Sequence, residues 1–194
     1  MQIQEFIFAT SNPNKVKEVN QLLGSTVQVK SLKDIGFTTE LPETQDTIEG
    51  NAIQKAETLF QHIGKPCFAE DTGLIVPALN GAPGVYSARY AGPQKNDQDN
   101  MNLLLQNLEQ QADRRAHFKT VIALKTAEQL FTFEGIAPGQ IIESPRGDHG
   151  FGYDPIFLPD GYHTTFAEMA MQAKSKISHR AKALQKLIEY LAKT

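Results

Sequence analysis

The chain has 194 residues, of which 40% are hydrophobic and 21% charged, and its net charge is -3. This balance is typical of a globular protein with a sizeable core, and it excludes the basic excess that binds nucleic acid or an anionic membrane. A lone cysteine, Cys67, excludes an internal disulfide framework and a multi-cysteine metal site, and we expect it to be a buried, small apolar strand residue. We therefore predict a single domain over residues 1–194.

The chain shows neither a basic-then-apolar signal segment at its start nor an apolar run near the ~20 residues that span a bilayer. A single cysteine also suits a reducing compartment. We expect a cytoplasmic protein that binds neither nucleic acid nor membrane.

Apolar periodicity predicts alternating strands and helices in the first third of the chain. A buried strand over 5–10 precedes a helix over 14–24 that ends on a glycine, and a half-buried strand covers 26–32. The next helix covers 48–64 and also ends on a glycine.

Beyond residue 65 the pattern predicts strand pairs, loops and two further helices. Two apolar runs flank the acidic pair Glu70 and Asp71, which is typical of a hairpin or a sharply bent strand pair within 66–79. The other predicted segments are a loop over 80–97, a helix over 97–111, an antiparallel strand pair over 115–126 and 129–142, a loop over 144–155, a strand over 156–158 and a helix over 178–192. This order predicts an α/β fold around a mixed β-sheet flanked by helices.

The turn TSNPNK, at the start of the first helix, is a candidate phosphate site. Asn12 is a good N-cap, and Pro13 suits the first helical position, where its missing amide costs nothing. Lys15 falls in the first turn, where the helix dipole disfavours positive charge by ~0.3–1 kcal/mol unless an anion is bound. Backbone amides, the hydroxyls of Thr10 and Ser11 and the Lys15 ammonium would together hold a phosphate. A surface lysine on an ordinary cap explains the turn equally well, and neither GxxxxGK[ST] nor GxGxxG is present.

Two acidic segments are candidates for a metal site. Glu70 and Asp71 precede a threonine and a glycine, a setting that suits a Mg²⁺ ion bound through waters and substrate phosphates. Neighbouring strand residues point to opposite faces, so only one of the two is expected to face a given site. A hairpin capped by an aspartate turn is the simpler explanation. Glu43 and Asp46 lie in a polar loop as solvated charges, with Asp46 a possible helix cap, unless the fold brings them to Asp71.

The segments GFGYDP and KSKISHR combine groups that recognise a planar base and an anion. Two aromatic rings and an acid would stack a base and read its edge, although tight turns have the same composition. His179 and Arg180 lie at a helix start if Ser178 is the N-cap, where cations are misplaced unless they meet an anion or an acceptor. Cations lie at the start of two helices, and two such cases are harder to explain without a bound anion than a single case would be.

Taken in order, FATSNPNKVKEV, FAEDTGLIVPALNGAPGVYSARYAG, GFGYDPIF and KSKISHRAKAL closely resemble the motifs of the inosine/xanthosine triphosphate pyrophosphatase family, from about residue 6 to 190. The resemblance implies an elongated α/β fold of two lobes with a central substrate cleft, a Mg²⁺ cofactor and a homodimer. It also implies hydrolysis of the non-standard purine triphosphates ITP, dITP and XTP to the monophosphate and pyrophosphate, which cleanses the nucleotide pool.

The resemblance implies roles for individual residues. Asp71 matches the family's essential acid and Glu43 a metal-binding glutamate, while Glu70 stands where many relatives have an aspartate. The substrate-binding residues that it implies are Thr10, Ser11, Asn12, Pro13, Asn14, Lys15, Thr72, Phe151, Gly152, Tyr153, Asp154, Lys174, His179 and Arg180.

These assignments lead to a mechanistic hypothesis. Asp71 orients a water for in-line attack on the α-phosphorus and accepts its proton, while Asp71, Glu43 and Glu70 are the expected metal ligands, directly or through water. Lys15, the helix N-terminus and Mg²⁺ would neutralise the leaving pyrophosphate. Which carboxylate performs which task stays open at this level.

Discrimination against ATP requires donors facing the purine 6-position, where inosine and xanthosine present a carbonyl and adenine an amine. His179, Arg180 and the amides of Phe151 and Gly152 are the predicted donors, with Lys174 on the same edge. Three alternatives remain: a phosphotransferase, a nucleotide-binding regulatory module without chemistry, and a pyrophosphatase of different base preference.

Overall fold

The computed structural model describes residues 4–23 and 27–193. Its strands and α-helices are, in chain order, β1 Gln4–Phe8, α1 Pro13–Leu23, β2 Val27–Ser31, α2 Ile48–Ile63, β3 Cys67–Ile75, α3 Asp97–Asn107, β4 Arg115–Lys125, β5 Leu130–Ile141, β6 Phe157–Pro159, α4 Met171–Ile177 and α5 His179–Leu191. Short 3-10 helices cover Pro77–Leu79, Gly84–Arg89 and Asp154–Ile156. The predicted end of the first helix at Gly24 and the predicted start of the second strand at Thr26 lie outside the described residues.

The strands form one mixed sheet with the order β2-β1-β3-β4-β5-β6. Strand β1 runs parallel to β2 and β3, whereas β6 is antiparallel to β5. The amide of Ile141 donates to the carbonyl of Arg114 at 2.9 Å, and that of Thr126 donates to Gln129 at 3.0 Å. Hydrogen bonds at both ends thus make β4 and β5 antiparallel, as predicted. The predicted α/β fold with a mixed sheet and flanking helices is confirmed.

The described residues divide into two compact units, which we treat separately. The first unit contains 4–23, 27–71, 120–135 and 180–193, and the second contains 72–119 and 136–179. Strands β3, β4 and β5 each contribute residues to both units. The single domain over 1–194 stays a prediction.

The core of the first unit fixes the starts of α1 and α5 next to β3. Phe8 and Phe68 are register partners on β1 and β3, and their rings stack with centroids 4.7 Å apart. Val19 of α1 and Leu184 of α5 are fully buried in the same cluster. Burying an apolar side chain of this size stabilises the fold by roughly 1.5–3 kcal/mol. The first turns of both helices therefore have defined positions.

The core of the second unit is rich in aromatic rings. Phe118 of β4 and Phe157 of β6 meet edge to face at 4.7 Å, and α3 contributes Met101 and Leu104. The close approach of β5 to β6 requires the glycine at 139, because a Cβ atom there would clash with the backbone carbonyl of Leu158. This packing anchors both α3 and the segment that precedes β6.

Two predictions about the middle of the chain are wrong. The segment 66–79, predicted as a hairpin or a sharply bent strand pair, contains one continuous strand, β3, because Glu70 and Asp71 are buried against cations from other elements and need neither a turn nor solvent. The predicted loop over 80–97 contains the 3-10 helix Gly84–Arg89, which apolar periodicity does not reveal in so short an element.

The expected role of the lone cysteine agrees with the structure. Cys67 is fully buried on β3, and burial raises the pKa of its thiol to about 12, in agreement with a small apolar role. Among residues 4–23 and 27–193, no helix has the length and apolar character needed to cross a bilayer.

Candidate active site

Helix α1 begins with the cap that the sequence predicts. The side-chain oxygen of Asn12 accepts hydrogen bonds from the backbone amides of Asn14 at 2.9 Å and Lys15 at 3.4 Å. Pro13 is the first helical residue, and the hydroxyl of Thr10 accepts from the amide of Asn12 at 3.2 Å. The cap fixes the backbone of Lys15 in the first turn of α1.

Lys15 contacts a buried carboxylate of β3. Its Nζ lies 3.1 Å from Oε1 of Glu70, whose side chain is 1% exposed. Arg180 of α5 donates to the same carboxylate from Nε at 2.9 and 3.0 Å and from Nη2 at 2.8 Å. Its Nη1 donates to Glu18 of α1. Two cations and two carboxylates thus form a charge-balanced group, the Arg180 cluster, consisting of Lys15, Glu18, Glu70 and Arg180.

The neighbouring charges set the protonation states of the Arg180 cluster. Burial alone raises the pKa of Glu70, but Arg180 and Lys15 outweigh burial and lower this pKa to about 2. Burial acts against the Arg180 guanidinium, whose pKa is nevertheless raised by Glu70 and Glu18. The pKa of Lys15 is lowered, because the loss of hydration outweighs the attraction of Glu70. The buried pair of Glu70 and Arg180 is therefore ionised at neutral pH.

A second group of charges, the Asp71 cluster, consists of Glu43, Asn51, Lys55 and Asp71. Nζ of Lys55 donates to Oε1 of Glu43 at 2.6 Å and to Oδ1 of Asp71 at 3.3 Å. Asn51, one turn earlier on α2, donates to Oδ2 of Asp71 at 3.4 Å. Glu70 and Asp71, which are adjacent on β3, thus bind different helices, as the alternation of strand side chains predicts.

The environment of Asp71 raises the pKa of its carboxyl group above the ordinary value. Burial raises the pKa of Asp71 by more than Lys55 and Lys15 lower it. Burial also opposes the charge of Lys55, but Asp71 and Glu43 outweigh burial and raise the pKa of this ammonium. A carboxylate with a raised pKa beside a permanent cation has the properties of a general base.

The segment before α2 brings Glu43 to Lys55. The amides of Thr44 and Gln45 each donate to a side-chain oxygen of α2, on Gln54 and Asn51 respectively, at 2.9 Å. The backbone that directly follows Glu43 is therefore attached to the helix that carries Lys55.

Thr47 caps α2, and Asp46 does not. The hydroxyl of Thr47 accepts from the amide of Gly50 at 2.9 Å, and Thr47 has the extended backbone of an N-cap. The helix begins one residue later than an aspartate cap requires, at Ile48, so Asp46 stays exposed in the loop.

In the second unit, the loop Phe151–Asp154 is held by two carboxylates. Oδ2 of Asp154 accepts from the amide of Phe151 at 3.0 Å and from Nζ of Lys174 at 2.7 Å. The amide of Gly152 donates to Oδ2 of Asp97 at 2.7 Å. Both loop amides predicted to read the base thus donate to protein carboxylates, and their role in base recognition stays a prediction.

The other predicted base contacts have ordered surroundings within the second unit. The Tyr153 hydroxyl donates to the carbonyl of Ser87 at 2.8 Å, and burial raises its pKa. His179, the first residue of α5, stacks on Phe118 with ring centroids 4.6 Å apart. Thr72 is half-buried on β3.

The structure separates the predicted residues into two groups. The first unit holds the turn from Thr10 to Lys15, with Ser11, Pro13 and Asn14 exposed, together with Glu43, Glu70, Asp71 and Arg180. The second unit holds Thr72, Phe151, Gly152, Tyr153, Asp154, Lys174 and His179. Arg180, predicted beside His179 as a base contact, is 2% exposed and bound to Glu70 and Glu18.

Sequence reasoning missed Glu18, Asn51 and Lys55. A usable signal existed for the last two, since they are one turn apart and adjoin the apolar stripe of α2 that contains Ala52 and Ala56. A lysine on a buried helix face requires a carboxylate partner, because an unpaired buried ammonium is costly.

The donor set fits a magnesium ion at Glu43 and Asp71 better than at Glu70. Carboxylate oxygens are the ligands that Mg²⁺ prefers, and those of Glu43 and Asp71 converge on one cationic atom, Nζ of Lys55. Both oxygens of Glu70 already accept from Arg180. Over the described ranges, no group of three His, Cys, Asp or Glu side chains is arranged to hold a metal ion, so an ion at Glu43 and Asp71 would need further ligands from water or phosphate.

A mixed-sheet α/β chain whose two lysine and carboxylate clusters lie on neighbouring residues of one strand has the donors and acids of an enzyme that acts on phosphate groups. The chain is a member of the Ham1 family, whose model matches residues 6–190.

Curated relatives and solved structures match nearly the whole chain. It is 52% identical to the dITP/XTP pyrophosphatase of Flavobacterium johnsoniae, with 98% of this chain and 99% of the relative covered. It is 47% identical to the dITP/XTP pyrophosphatase of Bacillus subtilis, with 97% of this chain and 98% of the relative covered. A solved HAM1 protein from Coxiella burnetii superposes with a TM-score of 0.91 at 36% identity, covering 99% of this chain and 100% of that one.

Proposed function

We propose that the chain hydrolyses the non-standard purine nucleoside triphosphates ITP, dITP and XTP to the monophosphate and pyrophosphate. The observation that carries this function is the pair of ammonium groups, half-buried Lys15 and buried Lys55, which lie beside Glu70 and Asp71 of β3 respectively. Full-length relatives named dITP/XTP pyrophosphatase support the same reaction.

In the proposed mechanism, Lys15 and Lys55 bind triphosphate oxygens. Each ammonium group has a protein carboxylate as its partner, Glu70 at 3.1 Å and Glu43 at 2.6 Å. A triphosphate carries more charge than either carboxylate, so its oxygens compete for these donors and gain charge-assisted hydrogen bonds. The hydroxyl of Ser11, which is exposed in the turn before α1, would add a donor on the side of Lys15.

Asp71 acts as the general base. Its carboxylate orients a water for in-line attack on the α-phosphorus and accepts the proton that the water loses. Hydrogen bonds from Lys55 and Asn51 hold this carboxylate in place. The bond from the α-phosphorus to the bridging oxygen breaks, and the electron pair leaves with pyrophosphate, whose charge Lys15 and Lys55 stabilise.

We further propose that activity depends on Mg²⁺, with Glu43 and Asp71 as its protein ligands. When bound, the ion would supply Lewis-acid stabilisation of negative charge on the phosphate oxygens. Glu70 would instead hold Lys15, because Arg180 already occupies both of its oxygens.

The loop Phe151–Asp154 with Lys174 and His179 would recognise the base. Lys174, held by Asp154 at 2.7 Å, donates to the purine 6-carbonyl, and the Phe151 ring stacks on the base. Adenine presents an amine at this position, so the donor of Lys174 would lose its acceptor and ATP would be rejected.

Kinetics over a base panel test the function. With Mg²⁺ the protein should convert ITP, dITP and XTP to monophosphate and pyrophosphate at least about 10²-fold more efficiently than ATP. Release of orthophosphate, hydrolysis only with a second acceptor, or binding without turnover would contradict it.

The resemblance of the motifs also supports a homodimer in the cytoplasm. A solution mass near twice the chain mass of 21.5 kDa is expected. A mass of one chain at micromolar concentration would contradict the dimer and leave the catalytic proposal standing.

A further inference from the structure

Asp97, the first residue of α3, contacts a loop that lies 55 residues further along the chain. Its Oδ2 accepts the amide hydrogen of Gly152 at 2.7 Å. The proposed function uses the neighbours of Gly152 for base recognition and gives no role to Asp97. A short hydrogen bond from an amide to an ionised carboxylate belongs to the stronger class of protein hydrogen bonds.

The position of Asp97 is fixed by the helix that carries it. Asn96 caps α3 with its side-chain oxygen, which accepts from the amide of the third helical residue at 3.0 Å. The buried side chain of Asn100 accepts from the amide of Ala91 at 2.7 Å. Met101 and Leu104 pack in the core of the second unit. Asp97 is thus an exposed acceptor on an anchored helix end.

Gly152 has no comparable packing of its own. It has a φ of 65°, and a Cβ atom built there would meet nothing within 4 Å. The residues on both sides are anchored, since the amide of Phe151 donates to Asp154 and the hydroxyl of Tyr153 donates to a backbone carbonyl. A glycine in open space has wide conformational freedom, so the bond to Asp97 restricts the one flexible position between two anchored neighbours.

We propose that Asp97 is a positioning residue, which fixes the loop Phe151–Asp154 through the amide of Gly152 and thereby sharpens discrimination between 6-oxo and 6-amino purines. This inference rests on the proposed function. Its physical basis is that a donor rejects the wrong base only if the loop does not move to offer another partner.

The test compares Asp97→Ala with Asp99→Ala. Both variants remove one carboxylate from the first turn of α3, but the side chain of Asp99 accepts from Gln94, a residue just before the helix, at 3.3 Å. Asp97→Ala should lower the ratio of kcat/KM for ITP to that for ATP by about 10-fold, whereas Asp97→Asn, which keeps a neutral acceptor, should lower it by about 3-fold. Asp99→Ala should leave the ratio unchanged.

Amide hydrogen exchange provides a readout that does not depend on catalysis. Exchange of the peptide containing Gly152 should be about 10-fold faster in Asp97→Ala than in Asp99→Ala, with equal melting temperatures. Equal exchange in the two variants, or an unchanged ITP to ATP ratio in Asp97→Ala, overturns the inference. A wild-type protein inactive on ITP overturns the proposed function and the selectivity part of this inference, while the exchange comparison still decides whether Asp97 holds the loop.

Discussion

Nζ of Lys15 lies 3.1 Å from Oε1 of Glu70, so the lysine at the start of α1 faces a buried carboxylate before any nucleotide arrives. Arg180 holds the same carboxylate from α5. The ammonium group is therefore positioned in advance, which reduces the entropy lost when a phosphate binds. It also means that a phosphate must draw Lys15 away from Glu70 or share it.

Replacing Lys15 should impair catalysis more than folding. We expect Lys15→Met to lower kcat/KM for ITP by about 10²-fold, because it removes one electrostatic contact to the leaving pyrophosphate. Lys17→Met removes the same charge from an exposed position on the same helix and should change kcat/KM by less than about 2-fold. Similar losses in the two variants would show that general attraction, and not the position of Lys15, matters.

Replacing Asp71 tests the general base. Asp71→Asn keeps the shape of the side chain and an oxygen for Lys55, but it removes the proton acceptor, so turnover of ITP should fall by about 10³-fold. Asp46→Asn changes an exposed aspartate in the loop before α2 and should retain full turnover. Retention of more than about a tenth of the wild-type rate by Asp71→Asn would remove Asp71 from this role.

The low pKa of Glu70 predicts a specific dependence of stability on pH. Its folded-state pKa of about 2 lies below the ordinary value of 4.5, so the unfolded chain binds more protons between these values. Ionised Glu70 then contributes about 3 kcal/mol to the free energy of unfolding above pH 4.5, and this contribution is lost as the pH falls toward 2.

Denaturant titrations of Glu70→Gln measure this contribution. The difference in unfolding free energy between wild type and Glu70→Gln should be largest at pH 6 and should shrink steadily below pH 4.5. Glu5→Gln, which breaks the exposed ion pair with Lys30, should cost less than about 1 kcal/mol. A difference for Glu70→Gln that is constant from pH 6 to 3.5 would contradict an ionised Glu70 with a depressed pKa.

The cap of α2 is testable by stability alone. Thr47→Ala should lower the free energy of unfolding by about 1 kcal/mol, because the amide of Gly50 loses its acceptor. Asp46→Ala should have at most half of this effect. Chemical denaturation at neutral pH measures the free energy of unfolding of both variants. A larger loss in Asp46→Ala than in Thr47→Ala would show that Asp46 is the cap.

Local signals sufficed for the elements whose partners lie close in sequence. Asn12 and Pro13 specify the start of α1, and a glycine at 64 marks the end of α2, where it adopts the left-handed conformation. The α/β class follows from the alternation of strands and helices in the first third of the chain.

Long-range pairing explains what the sequence did not predict. Glu70 and Arg180 are 110 residues apart, so no local pattern distinguishes a buried acidic strand residue from one in a turn. The sequence therefore favours a hairpin or a sharply bent strand pair where the structure has β3. The Glu43 and Asp71 pair is bridged by Lys55, a residue that alternation and capping rules treat as surface. Charges acquire a role only when the fold supplies their partners.

The position of attack on the triphosphate tests the central claim most directly. Hydrolysis of ITP in ¹⁸O-labelled water, followed by mass spectrometry of both products, shows which phosphorus the water attacks. We predict one label in inosine monophosphate and none in pyrophosphate, as required by attack at the α-phosphorus. Label in pyrophosphate, or in orthophosphate released with inosine diphosphate, would contradict the assignment of Asp71, Lys15 and Lys55.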